Sequence, residues 1–296
     1  MKELKKCKKC GLLIEKDKDV CPFCKTNQNI EPVIENNDKK ESIKLEYLSR
    51  SKGLALSNLK EIALFLLGTI GLILIQLIAI GITTLACGKV FLTTTKGNAI
   101  VIISTYCVLF SLMILVLFKD NIKILLDFKN SKLNLLWGFL MGIGIIIISF
   151  LYNFLVSLAG KGSNDNQENI VSIVNLYPVA AVLVFGILGP ICEEFTYRLG
   201  FFSVLKKVNK YLAYVVVAVF FGFIHFNASS EDLINELINL PNYIIAGVAL
   251  CFTYDMFGLP ASITAHVLNN LVGVIQILLL KLLWWTTKNY FYQILL

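Results

Sequence analysis

From Ile62 to Ala86 the chain carries not one charged side chain. At about 1.5 Å of rise per residue, a helix over that run exceeds the roughly 30 Å of hydrocarbon in a bilayer. Inside that hydrocarbon every backbone N–H and C=O must be paired within the protein, which leaves helices or closed barrels. The run shows no alternation of period two, so it reads as a helix. Six further apolar stretches follow, at 99–118, 133–159, 174–204, 211–226, 241–256 and 262–285. The expected fold class is therefore an all-α polytopic membrane protein with about seven transmembrane helices, or eight if 286–296 begins another. The fifth and sixth stretches are short, as suits helices shielded by their neighbours.

Composition closes the soluble alternative. The chain is 56% hydrophobic and 16% charged, against about 45–50% and 25% for soluble domains. Too few polar side chains remain to cover a water-facing surface. The net charge of +7 sits in lysines beside the apolar runs, a pattern that sets topology and meets anionic headgroups rather than nucleic acid. Residues 1–60 hold no apolar core of a signal peptide, so the N-terminus is expected to stay in the cytoplasm. Inner loops 119–132 and 205–210 then carry Lys119, Lys123, Lys129, Lys132, Lys206, Lys207 and Lys210. Outer loops 160–173 and 227–240 carry Asp165, Glu168, Glu231, Asp232 and Glu236 against Lys161. Trp284 and Trp285 fit an outer interfacial belt.

The N-terminal segment has a different chemistry. Cys7, Cys10, Cys21 and Cys24 form C-x-x-C-G and C-P-x-C pairs, a spacing that wraps two turns around one tetrahedral Zn²⁺. Two disulfides would use the same cysteines, but a cytoplasmic segment favours zinc. A unit this small has no core except a metal. Three regions follow: a zinc ribbon over 1–27, a polar linker over 28–60 that can run as an interfacial helix near the membrane, and a membrane domain over 61–296. Cys87, Cys107, Cys192 and Cys251 lie in or beside apolar runs and read as small buried hydrophobes.

Ionisable groups at membrane depth are costly and mark function. Three groups occur in order: Glu193-Glu194-x-x-x-Arg198, Phe221-x-x-x-His225 and His266-x-x-x-Asn270. The chain's two histidines both belong to this set. Helical spacing lets Glu194 pair with Arg198 along one face, while Glu193 points about 100° away. His266 and Asn270 share a face, as do Phe221 and His225. Three helices can thus aim a carboxylate, two imidazoles and a carboxamide at one point, a base for water and donors for an oxyanion. Each group alone could be packing glue between helices. Gly189-Pro190, just before Glu193, should kink its helix and open space around the carboxylates.

These three motifs, over about residues 174–280, resemble those of the CPBP family, the CAAX-protease and bacteriocin-processing intramembrane peptidases, also called Abi. The resemblance implies a helical membrane endopeptidase acting on a peptide or membrane-protein substrate. Glu193 would activate the attacking water and His225 would hold or orient it. His266 and Asn270 would stabilise the oxyanion, with Glu194 and Arg198 in support. Whether a catalytic metal takes part stays open, since two histidines and a carboxylate can also bind Zn²⁺. Adjacent Asn269 leaves open which carboxamide faces the site. Bacteriocin or pheromone processing, self-immunity and regulated proteolysis are the expected roles. The alternative is a non-catalytic membrane scaffold that binds a partner such as a sensor kinase. A transporter fits less well, because no matching broken helices recur in two halves.

Overall fold

The computed structural model describes residues 4–6, 13–15, 17, 19–20, 22 and 56–294. The chain divides into two units, 1–50 and 51–296. In the first, β1 (Leu4–Lys6) pairs antiparallel with β2 (Leu13–Glu15), Leu4 opposite Glu15 and Lys6 opposite Leu13. The expected zinc ligands Cys7, Cys10, Cys21 and Cys24 lie outside the described residues, as does the linker up to residue 55.

The second unit is helical. α1 (Asn58–Cys87) and α2 (Thr95–Val116) lead to a short α3 (Asn121–Asn130) in the lysine-bearing loop. Then come α4 (Lys132–Leu158), α5 (Asp165–Leu176), α6 (Pro178–Val208), α7 (Lys210–Phe223) and α8 (Leu233–Ile294). The helix therefore starts at Asn58, inside the stretch expected to be linker. α5 occupies the loop expected at 160–173; Asn164 caps it by accepting from Gln167 N at 3.2 Å.

Among the described residues, five helices are long and apolar enough to cross a membrane: α1, α2, α4, α6 and α8 as far as Trp284. This is the make-up of a multi-pass helical membrane protein. The difference from seven expected spans has two sources. α7 is apolar but shorter, and α8 holds two of the expected spans as two helices joined at a kink. Gly258 divides it by adopting φ 80°, a left-handed conformation that glycine takes without steric cost. Its two arms, 233–257 and 259–294, correspond to the sixth and seventh stretches.

Lysines gather at one end of the bundle, and buried carboxylates there tie the helices together. Asp120 pairs with Lys60 and, at 3.2 Å, with Lys123. The Lys60 ammonium beside it holds the Asp120 carboxyl below its ordinary range. Glu61 pairs with Lys207, and Asp255 with Lys206 and Lys210. Two of the membrane-domain cysteines depart from expectation. Cys192 and Cys251 are buried, but Cys87 and Cys107 are exposed on the bundle's outer surface. An apolar residue on a membrane helix satisfies its surroundings by facing lipid as well as by facing protein.

Close backbone contact fixes the C-terminal arm of α8. A Cβ on Gly138 of α4 would lie 2.4 Å from Ala261 O, and one on Gly142 would lie 3.0 Å from Ala265 O. Small residues four apart on each helix let the two backbones touch, as membrane helices do without a hydrophobic force between them. Ala265 precedes His266, so this seam also sets the depth of that imidazole. Gly138→Ala is expected to lower the thermal unfolding temperature in detergent, by overpacking worth about 1–3 kcal/mol. Gly144→Ala is the control. A Cβ there meets nothing within 4 Å, and its unfolding temperature should stay within error of the parent.

Candidate active site

α6 is not a uniform α-helix. Gly189–Glu193 is α-helical, flanked by π-helical turns at Val184–Leu188 and Glu194–Phe202. The sequence predicts a kink at Gly189-Pro190, and the helix widens into π turns on both sides of it, a departure at which helices bend. π turns pair each N–H with the carbonyl five residues back, and they gather at functional sites. Thr196, Tyr197, Arg198 and Leu199 are all buried within the second widened segment.

Glu194 and Arg198 lie at this centre, each 0% exposed. Their ion pair, Arg198 Nη1 to Glu194 Oε1, spans 3.1 Å. The guanidinium sits 4.5 Å over the ring of Phe221, adding cation–π attraction, and its Nη2 reaches Gly247 O at 3.4 Å. The pairing inferred from spacing is thus present. Glu194 Oε1 also meets His266 Nδ1 at 2.8 Å, so one carboxylate oxygen holds both a guanidinium and an imidazole.

His266 stands between the two adjacent carboxylates. Its Nε2 lies 3.6 Å from Glu193 Oε2. That is too long for a direct hydrogen bond and short enough for proton exchange as the groups move. Glu193, with 16% of its side chain exposed against none for Glu194, is the more accessible carboxylate. Sequence spacing grouped His266 with Asn270; the structure joins its imidazole to Glu193 and Glu194 instead.

Asn270 bonds elsewhere. Its Nδ2 donates to Phe185 O at 3.2 Å, and its Oδ1 accepts from Asn269 Nδ2 at 3.2 Å. Asn269 therefore braces Asn270.

His225 sits two residues beyond the end of α7. Its Nδ1 donates to Phe221 O at 2.8 Å, because a carbonyl can only accept. In a neutral ring this leaves Nε2 as a free lone pair. Phe221 joins the three motifs through its ring, centred 5.0 Å from His225, 5.8 Å from His266 and under the Arg198 guanidinium.

A second layer holding His225 had no signal in the sequence. Tyr243 stacks on the imidazole, centroids 4.4 Å apart and planes 11° from parallel. Asn164 accepts from Tyr243 Oη and donates to His225 O, both at 3.1 Å. Glu236 had been counted as an outer-loop charge, but it is 1% exposed. It accepts from Asp165 N at 2.8 Å and Asn227 N at 2.9 Å, clamping the loop after His225 to the start of α5. Only proximity in the fold brings Asn164 and Asp165 to His225, Glu236 and Tyr243, which lie 61 to 79 positions along the chain.

The donor set of Glu193, His225 and His266 is one a metal could use. Among the described residues, however, no three His, Cys, Asp or Glu side chains converge as ligands.

Over 146 residues the chain is 28% identical to UPF0177 protein YvdC of Lactococcus lactis subsp. lactis (strain IL1403). The match takes in 46% of this chain and 53% of the relative, so the chain spans about half the length of the curated protein it matches. No solved structure matches. Residues 175–272, which hold every one of the polar groups just described on α6, α7 and the second arm of α8, are similar to the family described as type II CAAX prenyl endopeptidase Rce1-like.

Proposed function

We propose that the chain is an intramembrane endopeptidase that uses Glu193 to activate water against a peptide or membrane-protein substrate. The observation that carries this reading is His266 held between Glu194, at 2.8 Å, and Glu193, at 3.6 Å. Such an arrangement fixes a proton on Nδ1 and turns Nε2 toward the more exposed carboxylate.

In this reading Glu193 takes a proton from water as the oxygen attacks the scissile carbonyl carbon. His225 Nε2, left as an acceptor, orients that water. The negative charge that forms on the carbonyl oxygen is met by the second amide hydrogen of Asn270. Glu193 passes its proton to His266 Nε2, and the resulting imidazolium is stabilised by Glu194. When the C–N bond breaks, the imidazolium gives that proton to the departing amine. One water is consumed, and the carboxylate and imidazole return to their starting states. Arg198 neutralises Glu194 throughout, so Glu194 orients the imidazole without leaving a bare charge in the membrane.

The lysine-rich end of the bundle is read as cytoplasmic. At no more than about 1.5 Å per residue, since π turns rise less than α turns, Glu193 lies up to roughly 20 Å along α6 from Lys206. The site therefore belongs inside the bilayer.

The test compares polypeptide N- and C-termini in membranes and medium from cells with and without the protein. Termini that appear only in its presence, and appear again when the purified chain in liposomes meets the same polypeptide, support the reading. Identical termini in both would favour a non-catalytic scaffold.

A further inference from the structure

We infer that Pro190 is a positioning residue that fixes the carboxamide of Asn270 by leaving Phe185 O without an N–H from residue 190. The inference rests on the protease reading for what Asn270 does, and on geometry alone for how it is held.

Within Val184–Leu188 the helix is in π register, and the next N–H, that of Gly189, bonds Val184 O five residues back. One further step in that register pairs residue 190 with Phe185 O. Proline has no N–H to give. Phe185 O then lacks the donor that the π register would supply, and an unpaired polar group inside a packed membrane helix is costly. The partner comes from the facing helix, where Asn270 Nδ2 donates to Phe185 O at 3.2 Å. The two backbones come close enough because residue 186 is glycine; a Cβ there would lie 2.5 Å from Leu271 Cδ2. Pro190 itself is buried.

The consequence for Asn270 follows from its inventory of two donor hydrogens and one acceptor oxygen. One hydrogen is committed to Phe185 O, and the oxygen accepts from Asn269 Nδ2 at 3.2 Å. With both ends of the amide held, its plane cannot rotate or flip, and the second hydrogen is the one left for the substrate. A residue at 190 with an N–H would claim Phe185 O for the helix and release the carboxamide. Pro190 thus sets the oxyanion donor from a different helix, without touching the substrate.

The experiment uses the full chain in detergent micelles with ¹⁵N-asparagine, the Asn270 side-chain signals being assigned by their loss in Asn270→Ala. In the parent, the Asn270 amide hydrogen on Phe185 O should exchange slowly with solvent. In Pro190→Ala, and in Pro190→Gly, that protection should fall by on the order of tenfold or more, while the thermal unfolding temperature holds. Cleavage of the polypeptide identified by new termini should lose turnover, by on the order of tenfold, with KM little changed. Pro190→Ala should cost nothing further in the Asn270→Ala background. Unchanged exchange in both variants, or an equal loss of turnover with and without Asn270, would overturn the inference. Glu193→Gln keeps the two questions apart. It should retain the protected amide whether or not the chain proves to be a protease, so lack of cleavage by the parent sinks the protease reading and leaves the exchange result to judge Pro190.

Discussion

Glu193→Gln is expected to reduce cleavage by about a thousandfold or more while leaving the protein folded. General acid–base catalysis contributes about 10²–10⁴ to rate, and here one carboxylate would serve both halves of the proton transfer. The amide has the same shape and can still meet His266 Nε2 across the 3.6 Å gap, so packing gives no reason for a loss. Glu193 is also the carboxylate without a cationic partner, and neutralising it strands no buried charge. The check is turnover in liposomes at matched protein, with thermal unfolding measured alongside. Turnover within tenfold of the parent would remove Glu193 from the role of base. The neighbouring Glu194→Gln should behave differently, because its carboxylate is shared by Arg198 and His266. Losing that charge leaves a buried guanidinium unpaired, and both stability and turnover should fall.

That contrast bears on what the sequence could and could not show. The i, i+4 spacing found the Glu194–Arg198 pair because the two side chains remain adjacent even in widened turns. The same arithmetic put His266 with Asn270, since both stand on one arm of α8 four residues apart. What it could not supply is the register of α6 against that arm. This depends on π turns at Val184–Leu188 and Glu194–Phe202, and an apolar sequence carries no mark of a π turn. Gly189-Pro190 did mark the place where the helix departs from α geometry. Apolar runs located the helices well, because a span of hydrocarbon demands continuous apolar length. They also placed the break in α8, since the gap between the sixth and seventh stretches, 257–261, holds Gly258 with its φ of 80°. Glu236 departs from its expected exposure for a plainer reason. Charge bias counts a carboxylate in a loop as solvated, whereas this one is buried and accepts from the backbone N–H of Asn227, nine residues away, and of Asp165, 71 residues away.

Arg198→Met should be the most damaging single substitution for the fold. Both members of the pair are fully buried, and removing one partner of such a pair costs about 3–5 kcal/mol because the other charge is left uncompensated. Lost attraction to the Phe221 ring, at 4.5 Å, adds about 0.5–2 kcal/mol. The variant is expected to accumulate poorly and to unfold at a markedly lower temperature in detergent. A second substitution separates the charge from the packing. In Arg198→Met with Glu194→Gln, no buried charge is stranded, and residue 194 can still accept from His266 Nδ1 through its amide oxygen. The double variant should recover most of the lost stability, yet its turnover should remain about a hundredfold or more below the parent, because a neutral amide cannot stabilise the imidazolium that the proposed mechanism forms. The pair itself argues for this division. Its 3.1 Å contact is an ion pair without hydrogen-bond alignment, and among the described residues Glu194 Oε2 and Arg198 Nε have no hydrogen-bond partner. Stability alone would be better served by two apolar side chains of similar volume. Full turnover in the double variant would leave the charge of Glu194 without a catalytic role; stability restored with turnover still lost would tie that charge to His266.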